Sequence, residues 1–303
     1  MRTSFAVALR ASLAILTGAF AAGTGAVEVV GKVTHPELGE ISGLAKSSDG
    51  SFYWVHNDSG DSARLFAIDA EGNVIGPSWM NLGPDDWPGH TIDNAWHFDW
   101  ESIAVHEGHL YVADVGNNGN ARRDLGIYRL AEPNPHAVTK ARAHGFLEVV
   151  YPDQAKFPAE QWHFDCEAVF VDNGFIYLIT KHREAGRINV LEAGAKLYRV
   201  RAVLFAGEAE LLGSYDNITS ATGADLSPDG DTLAVSSYTA LWLFDRPAEG
   251  DNWFEGPARK LVIDPRVTKQ LEAIAWEDAE TLLLINEQRD IMRANVAEFE
   301  AVD

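Results

Sequence analysis

Trp96-His97-Phe98-Asp99-Trp100-Glu101 and Trp162-His163-Phe164-Asp165-Cys166-Glu167 agree at five of six positions, 66 residues apart. After each glutamate comes a short apolar run, a turn and a second apolar run. The turns are Glu107-Gly108 in the first copy and Asn173-Gly174 in the second. One strand–turn–strand unit written twice at long period points to a repeat architecture. Upstream, residues 41–45, a Ser-Asp-Gly turn at 48–50, and residues 52–55, 64–69 and 74–82 read as four antiparallel strands. Four short strands in such a span are the pattern of a propeller blade.

The pattern recurs, with inner strands opening at Glu101, Glu167, Gly223 and Glu272 and turning at 107–108, 173–174, 228–230 and near Asp278. Blade 1, with a slightly longer first strand, places Ser42 opposite those positions. The expectation is an all-β chain: a β-propeller of five four-stranded blades over residues 27–303, read as one domain. Residues 27–36 supply the missing strand of blade 5, closing the ring and covering its edges. Six blades is the alternative, if residues 75–100 hide a degenerate repeat. Two long connections, 83–94 and 152–161, run into the two copies of the motif, and long loops on a rigid scaffold are where function gathers.

The first residues read differently. Arg2 and Arg10 precede an apolar, small-residue stretch from Ala11 to Ala22, followed by Gly-Thr-Gly-Ala. That is the form of a secretory signal peptide, taken here as residues 1–26. It implies a periplasmic or secreted protein with no membrane span in the mature chain. Removing Arg2 and Arg10 takes the net charge of −21 to about −23. Such an acidic chain is unsuited to nucleic acid or anionic membranes and suited to cations. Cys166 is the only cysteine, which excludes an internal disulfide. Its place on an inner strand reads as a small buried residue, with a catalytic thiol as the alternative.

In a propeller the first strand of each blade lines the central channel. The openings at Ser42, Glu101, Glu167, Gly223 and Glu272 therefore send three carboxylates into one narrow space. Two unit charges roughly 5 Å apart repel by about 3 kcal/mol at an effective dielectric near 20. Protons, basic side chains or a cation must offset this. Hard oxygen ligands converging without sulfur or imidazole suit Ca2+, with the hydroxyls of Ser42 or Thr222 completing the set. The alternative is that these glutamates only accept hydrogen bonds from neighbouring blades.

The loops at that end of the barrel gather His56, Asn57, Asp58, Asp61, Asp114, Asn117, Asn118, Arg122, Arg123, Lys181, His182, Arg183, Tyr238, Glu287 and Arg289. Asp114, Arg122, Arg123, Lys181, Arg183 and Arg289 are the candidate substrate contacts, forming a basic rim able to hold a phosphate above a metal. His97 and His163, each two residues from Asp99 or Asp165, are candidate general bases with those aspartates as partners. The alternative is that these His-Phe-Asp triplets staple blade to blade.

Glu40-Ile-Ser-Gly-Leu44, Asn57-Asp-Ser-Gly60, Trp100-Glu-Ser-Ile-Ala-Val105, Leu110-Tyr-Val-Ala-Asp-Val-Gly116, Cys166-Glu-Ala168 and Leu271-Glu-Ala-Ile-Ala-Trp276 resemble the blade cores of calcium-dependent apyrases. The resemblance covers blade cores along most of residues 27–303. It implies a secreted five-bladed propeller with Ca2+ in the central tunnel, held by Ser42, Glu101, Glu167 and Glu272. Blade 4 departs from the family, which has paired serines where this chain has Thr222-Gly223. The chain also resembles bacterial exported propellers grouped as esterase-like phytases. Three functions follow as expectations. One is a Ca2+-dependent hydrolase of phosphate or related esters acting on a small anionic substrate. Another is a non-catalytic propeller with a structural calcium, whose loop face binds a ligand or protein. The last is a lactonase-like metal hydrolase. The fold does not choose among them.

Overall fold

A computed structural model describes residues 26–204 and 207–302; the leader read at 1–26 lies outside them apart from Ala26. The chain is all-β apart from short helical turns and forms five blades around a channel. Blade 1 runs outward from Ile41–Lys46 through Tyr53–Asn57 to Arg64–Ile68. Blade 2 follows as Trp100–His106, His109–Asp114, Gly126–Ala131 and Gly145–Glu148, and blade 3 as Trp162–Asp172, Phe175–Arg183, Ala193–Arg201 and Glu210–Thr219. Blade 4 is Ala221–Leu226, Thr232–Ser237, Ala240–Asp245 and Ala258–Val262, with the short Glu300–Ala301 added antiparallel at its outer edge. Blade 5 is Leu271–Trp276, Thr281–Asn286 and Asp290–Asn295, and its outer strand is the N-terminal Glu28–Lys32. That strand pairs antiparallel with Asp290–Asn295, the closure expected from the sequence. Inner strands pack blade to blade, and blade 5 returns to blade 1.

The inner hairpins turn as their residues dictate. Glu107 and Gly108, and Asn173 and Gly174, all have positive φ, the mirror-image turn whose twist suits a tight hairpin. Apolar side chains alternate out of each sheet and meet those of the next blade. Ala113, Ile127 and Leu147 of blade 2 thus pack with Val169, Ile176 and Leu178 of blade 3. Cys166 belongs to that layer, fully buried, and burial pushes its thiol pKa up, the opposite of an activated nucleophile.

Blade 1 departs from its expected outline. Residues 74–82 do not form one outer strand. Val74–Ile75 covers one end of Arg64–Ile68, and His90–Asp93, inside the expected loop 83–94, covers the other. Gly76-Pro77 breaks the first segment, since proline has no N–H to donate to the ladder; Gly76 also lies flat against the Trp87 ring. Lys140–Arg142, between the third and fourth strands of blade 2, then pairs in parallel with His90–Asp93 and stitches the two blades together.

Candidate metal centre at the channel mouth

Each of the five inner strands carries a bulge near its start, and the residue it leaves unpaired is Ser42, Glu101, Glu167, Thr222 or Glu272. A bulge re-aims the extra side chain, here toward the channel. The repeat thus corrects the blade 4 opening: the residue equivalent to the glutamates is Thr222, not Gly223. All five side chains are buried. They do not form one open ring of ligands. Ser42 Oγ donates to the Glu101 carbonyl (2.9 Å), Thr222 Oγ1 shares a hydrogen bond with Ser236 Oγ (3.0 Å), and Tyr238 donates to Glu272 Oε1. Glu272 Oε2 is buried without a partner.

A second tier comes from the residues leaving the second strands. Asp58 N–H donates to the Glu40 carbonyl, Gly116 N–H to Asp99 and Glu287 N–H to Gln270. Lys181 pairs with Asp165 in the same position. The two copies of the motif therefore meet different partners. Asp165 and Glu167 face Lys181, whose Nζ lies 3.1 Å from Glu167 Oε2. Arg183 adds contacts at 3.1 Å to Asp165 and 3.5 Å to Glu167. Asp99 and Glu101 face Gly116. A Cβ there would lie 2.3 Å from Glu101 Oε1 and 2.4 Å from Asp99 Oδ2, so the absent side chain is the space those carboxylates occupy.

Carboxylate oxygens of Asp58, Asp99 and Glu101 lie within 4.8 Å of one another, as do those of Glu101, Asp165 and Glu167. Among the described residues no basic side chain pairs with Asp58, Asp99 or Glu101. Glu101 is 4% exposed, and nothing donates to its carboxylate among the described residues. The electrostatic consequence is direct. Burial first, then Asp58 and Asp165, pushes the Asp99 carboxyl up to about 7. Burial, then Glu167, Asp58 and Asp99, holds Glu101 well above the usual carboxylate range. Glu287 is pushed up to about 7 by burial, then by Glu272 and Asp58. Burial alone would lower the Lys181 pKa, but Glu167 and then Glu272 outweigh it and keep the ammonium charged. An all-oxygen donor set, an unpartnered buried carboxylate and a glycine cradle fit a hard divalent cation at Asp58–Asp99–Glu101.

The remaining sequence-derived candidates divide. Asp99 and Asp165 turn into the channel, but their histidines do not follow. His97 stacks on Trp100 (4.5 Å) with Nδ1 3.1 Å from the Ser62 carbonyl. His163 stacks on His182 (3.8 Å) and contacts Glu192 (3.0 Å). No His–Asp dyad forms in either motif. The basic rim is also largely spent. Arg122 reaches Asp114 (2.9 Å) and the Gly116 carbonyl (2.9 Å), and Lys181 and Arg183 are buried with channel carboxylates. Arg289 donates to the His35 carbonyl (3.1 Å), and Arg123 covers the Phe157 ring (4.1 Å). Sequence reading missed Gly116 and gave Asp58 no ligand role. The signal for Gly116 was the difference between Asp114-Val115-Gly116 and Thr180-Lys181 after otherwise matching strands.

Fold and site together define a five-bladed β-propeller with a buried acidic cluster able to take up a metal ion. No protein-family model and no curated protein matches the chain. Among solved structures it is similar to the PQQ-bound aldose sugar dehydrogenase of Streptomyces coelicolor, at 13% identity and TM-score 0.47 over 90% of this chain and 98% of that one. It is also similar to a nidogen/laminin complex (13%, TM-score 0.46, 87% of this chain and 78% of that one) and a luciferin-regenerating enzyme (11%, TM-score 0.44, 91% and 97%). Likenesses this remote do not extend to chemistry.

Proposed function

We propose that this chain is an exported Ca2+-binding propeller that hydrolyses an uncharged ester at its channel mouth. One observation carries the reading: of two identical Asp-x-Glu pairs, that of the first motif has no ion-pair partner and no hydrogen-bond donor among the described residues, and closes over a glycine. Bound there, Ca2+ would supply Lewis acidity toward a carbonyl oxygen. Asp58, Asp99 and Glu101 hold the ion. Trp96 and Phe98, 72% and 58% exposed and stacked on each other, flank Asp99 and offer an apolar face to the rest of the substrate. In the second motif the counterpart of Phe98, Phe164, is 4% exposed and that of Trp96, Trp162, is half-buried, so the degree of exposure belongs to the site and not to the motif. The engagement of Arg122, Lys181 and Arg183 by acids favours a neutral ester or lactone over a phosphate ester.

The test is hydrolysis of p-nitrophenyl carboxylic esters, lactones and phosphate monoesters by purified protein in CaCl2 and in EDTA. Ca2+-dependent turnover of the first two classes is the expected result. Turnover of phosphates alone would overturn the substrate class. No turnover anywhere, with a Ca2+-dependent melt, would favour a structural ion, which the geometry also suits because the ligands come from two adjacent blades. Export to the periplasm or medium rests on the leader read at residues 1–26, and fractionation of cells producing the full chain tests it.

A further inference from the structure

The two motif copies form a comparison within one molecule. Both send an Asp-x-Glu pair to the channel from a bulged inner strand, and Glu101 belongs to both carboxylate clusters. Opposite Asp165 stands Lys181, and opposite Asp99 stands Gly116. In the second copy the ammonium lies 3.1 Å from Glu167, with Arg183 against Asp165. In the first, the carboxylates of Asp99 and Glu101 themselves fill the space beside Gly116, and among the described residues no basic side chain pairs with them and nothing donates to the buried Glu101 carboxylate. Beyond them, Ser42, Thr222 and one oxygen of Glu272 are already engaged by protein groups.

We propose that Lys181 is a built-in cation occupying the second of two equivalent cation positions around the channel. The chain therefore takes up one divalent cation, off the channel axis on the side of blades 1 and 2, and not an axial ion held by one residue from every blade. The proposal rests on the calcium reading above and departs from the ligand ring that the family resemblance implies. Removing the ammonium leaves Glu101, Asp165 and Glu167 short of positive charge in a space bounded by oxygen atoms, and a second divalent cation replaces it.

The experiment counts bound calcium, by titration of EDTA-stripped protein with CaCl2 and elemental analysis of the product, in wild type and Lys181→Met. The expected result is one ion per wild-type chain and two per variant chain. The variant should also melt lower than wild type in EDTA and recover more of its melting temperature on adding CaCl2. One ion in both proteins, or two in wild type, overturns the proposal. No ion in wild type and one in the variant would sink the calcium reading of the first copy and leave the role of Lys181 standing; none in either sinks both. Should Lys181→Met fail to fold, the double variant Glu167→Gln/Lys181→Met removes the buried pair together. It should bind one ion like wild type. If it binds none, the wild-type ion depends on Glu167, and the off-axis placement is wrong.

Discussion

Gly116 leaves room for two carboxylates that a larger residue would displace. The three atoms a Cβ would strike all belong to the carboxyl groups of Glu101 and Asp99 and none to the backbone, so Gly116→Ala should disturb the ligands and spare the fold. Its Ca2+ affinity should fall at least about tenfold, or roughly 1.4 kcal/mol, with an unchanged melt in EDTA. Calcium titration beside thermal unfolding checks this, and unchanged affinity would remove Gly116 from the site. A second residue-scale prediction concerns His90. Burial holds its pKa down to about 4, and its Nε2 has no hydrogen-bond partner among the described residues. The folded state therefore favours the neutral ring. As pH falls from about 6.5 toward 4 the unfolded chain takes up the proton first, and stability is lost. His90→Phe removes that proton uptake, so the variant should gain on wild type across this window. A melting difference that stays flat with pH would contradict the account.

The inner strand with its bulge is the element that builds the site. Hairpin turns, apolar alternation and the repeated motif made the five blades legible, because each is a local signal of period two bounded by turn residues. The closing strand was legible too, since residues 27–36 read as a strand ahead of blade 1. The bulge was not: one unpaired residue shifts the register by one, which is why Gly223 read as the blade 4 opening where Thr222 stands. The direction of Lys181 and Arg183 was hidden for a related reason. Charged residues at a strand end read as rim, and only the three-dimensional neighbours show that they compensate buried acids. Nor does local sequence encode the parallel pairing of Lys140–Arg142 with His90–Asp93. The closing strand carries its own prediction. Deleting residues 26–32 would bare the edge of Asp290–Asn295 and open the ring. Such a chain should melt many degrees lower and self-associate, as measured by thermal unfolding and size-exclusion chromatography. A monomer with the wild-type melt would show that closure contributes little.

At the scale of the whole molecule, a chain of net charge −21 gathers part of its negative charge at one end of its channel and neutralises it unevenly. Blade 3 brings Lys181 and Arg183, while blades 1 and 2 bring Asp58, Asp99 and Glu101, which have no ion-pair partner among the described residues. A ligand that binds only the folded state adds about 2.7 kcal/mol at a hundredfold excess over its Kd. A bound ion at that mouth should therefore raise the melting temperature by several degrees. Glu101 belongs to both clusters, so Glu101→Gln removes the shared charge with little change in shape. The most direct test is the calcium content and melting temperature of wild type and Glu101→Gln, each in CaCl2 and in EDTA. The account predicts one ion and a Ca2+-dependent melt in wild type. In the variant it predicts loss of both, with a melt in EDTA at or above that of wild type. Calcium retained by Glu101→Gln, or a wild-type melt indifferent to EDTA with no calcium found, would contradict it.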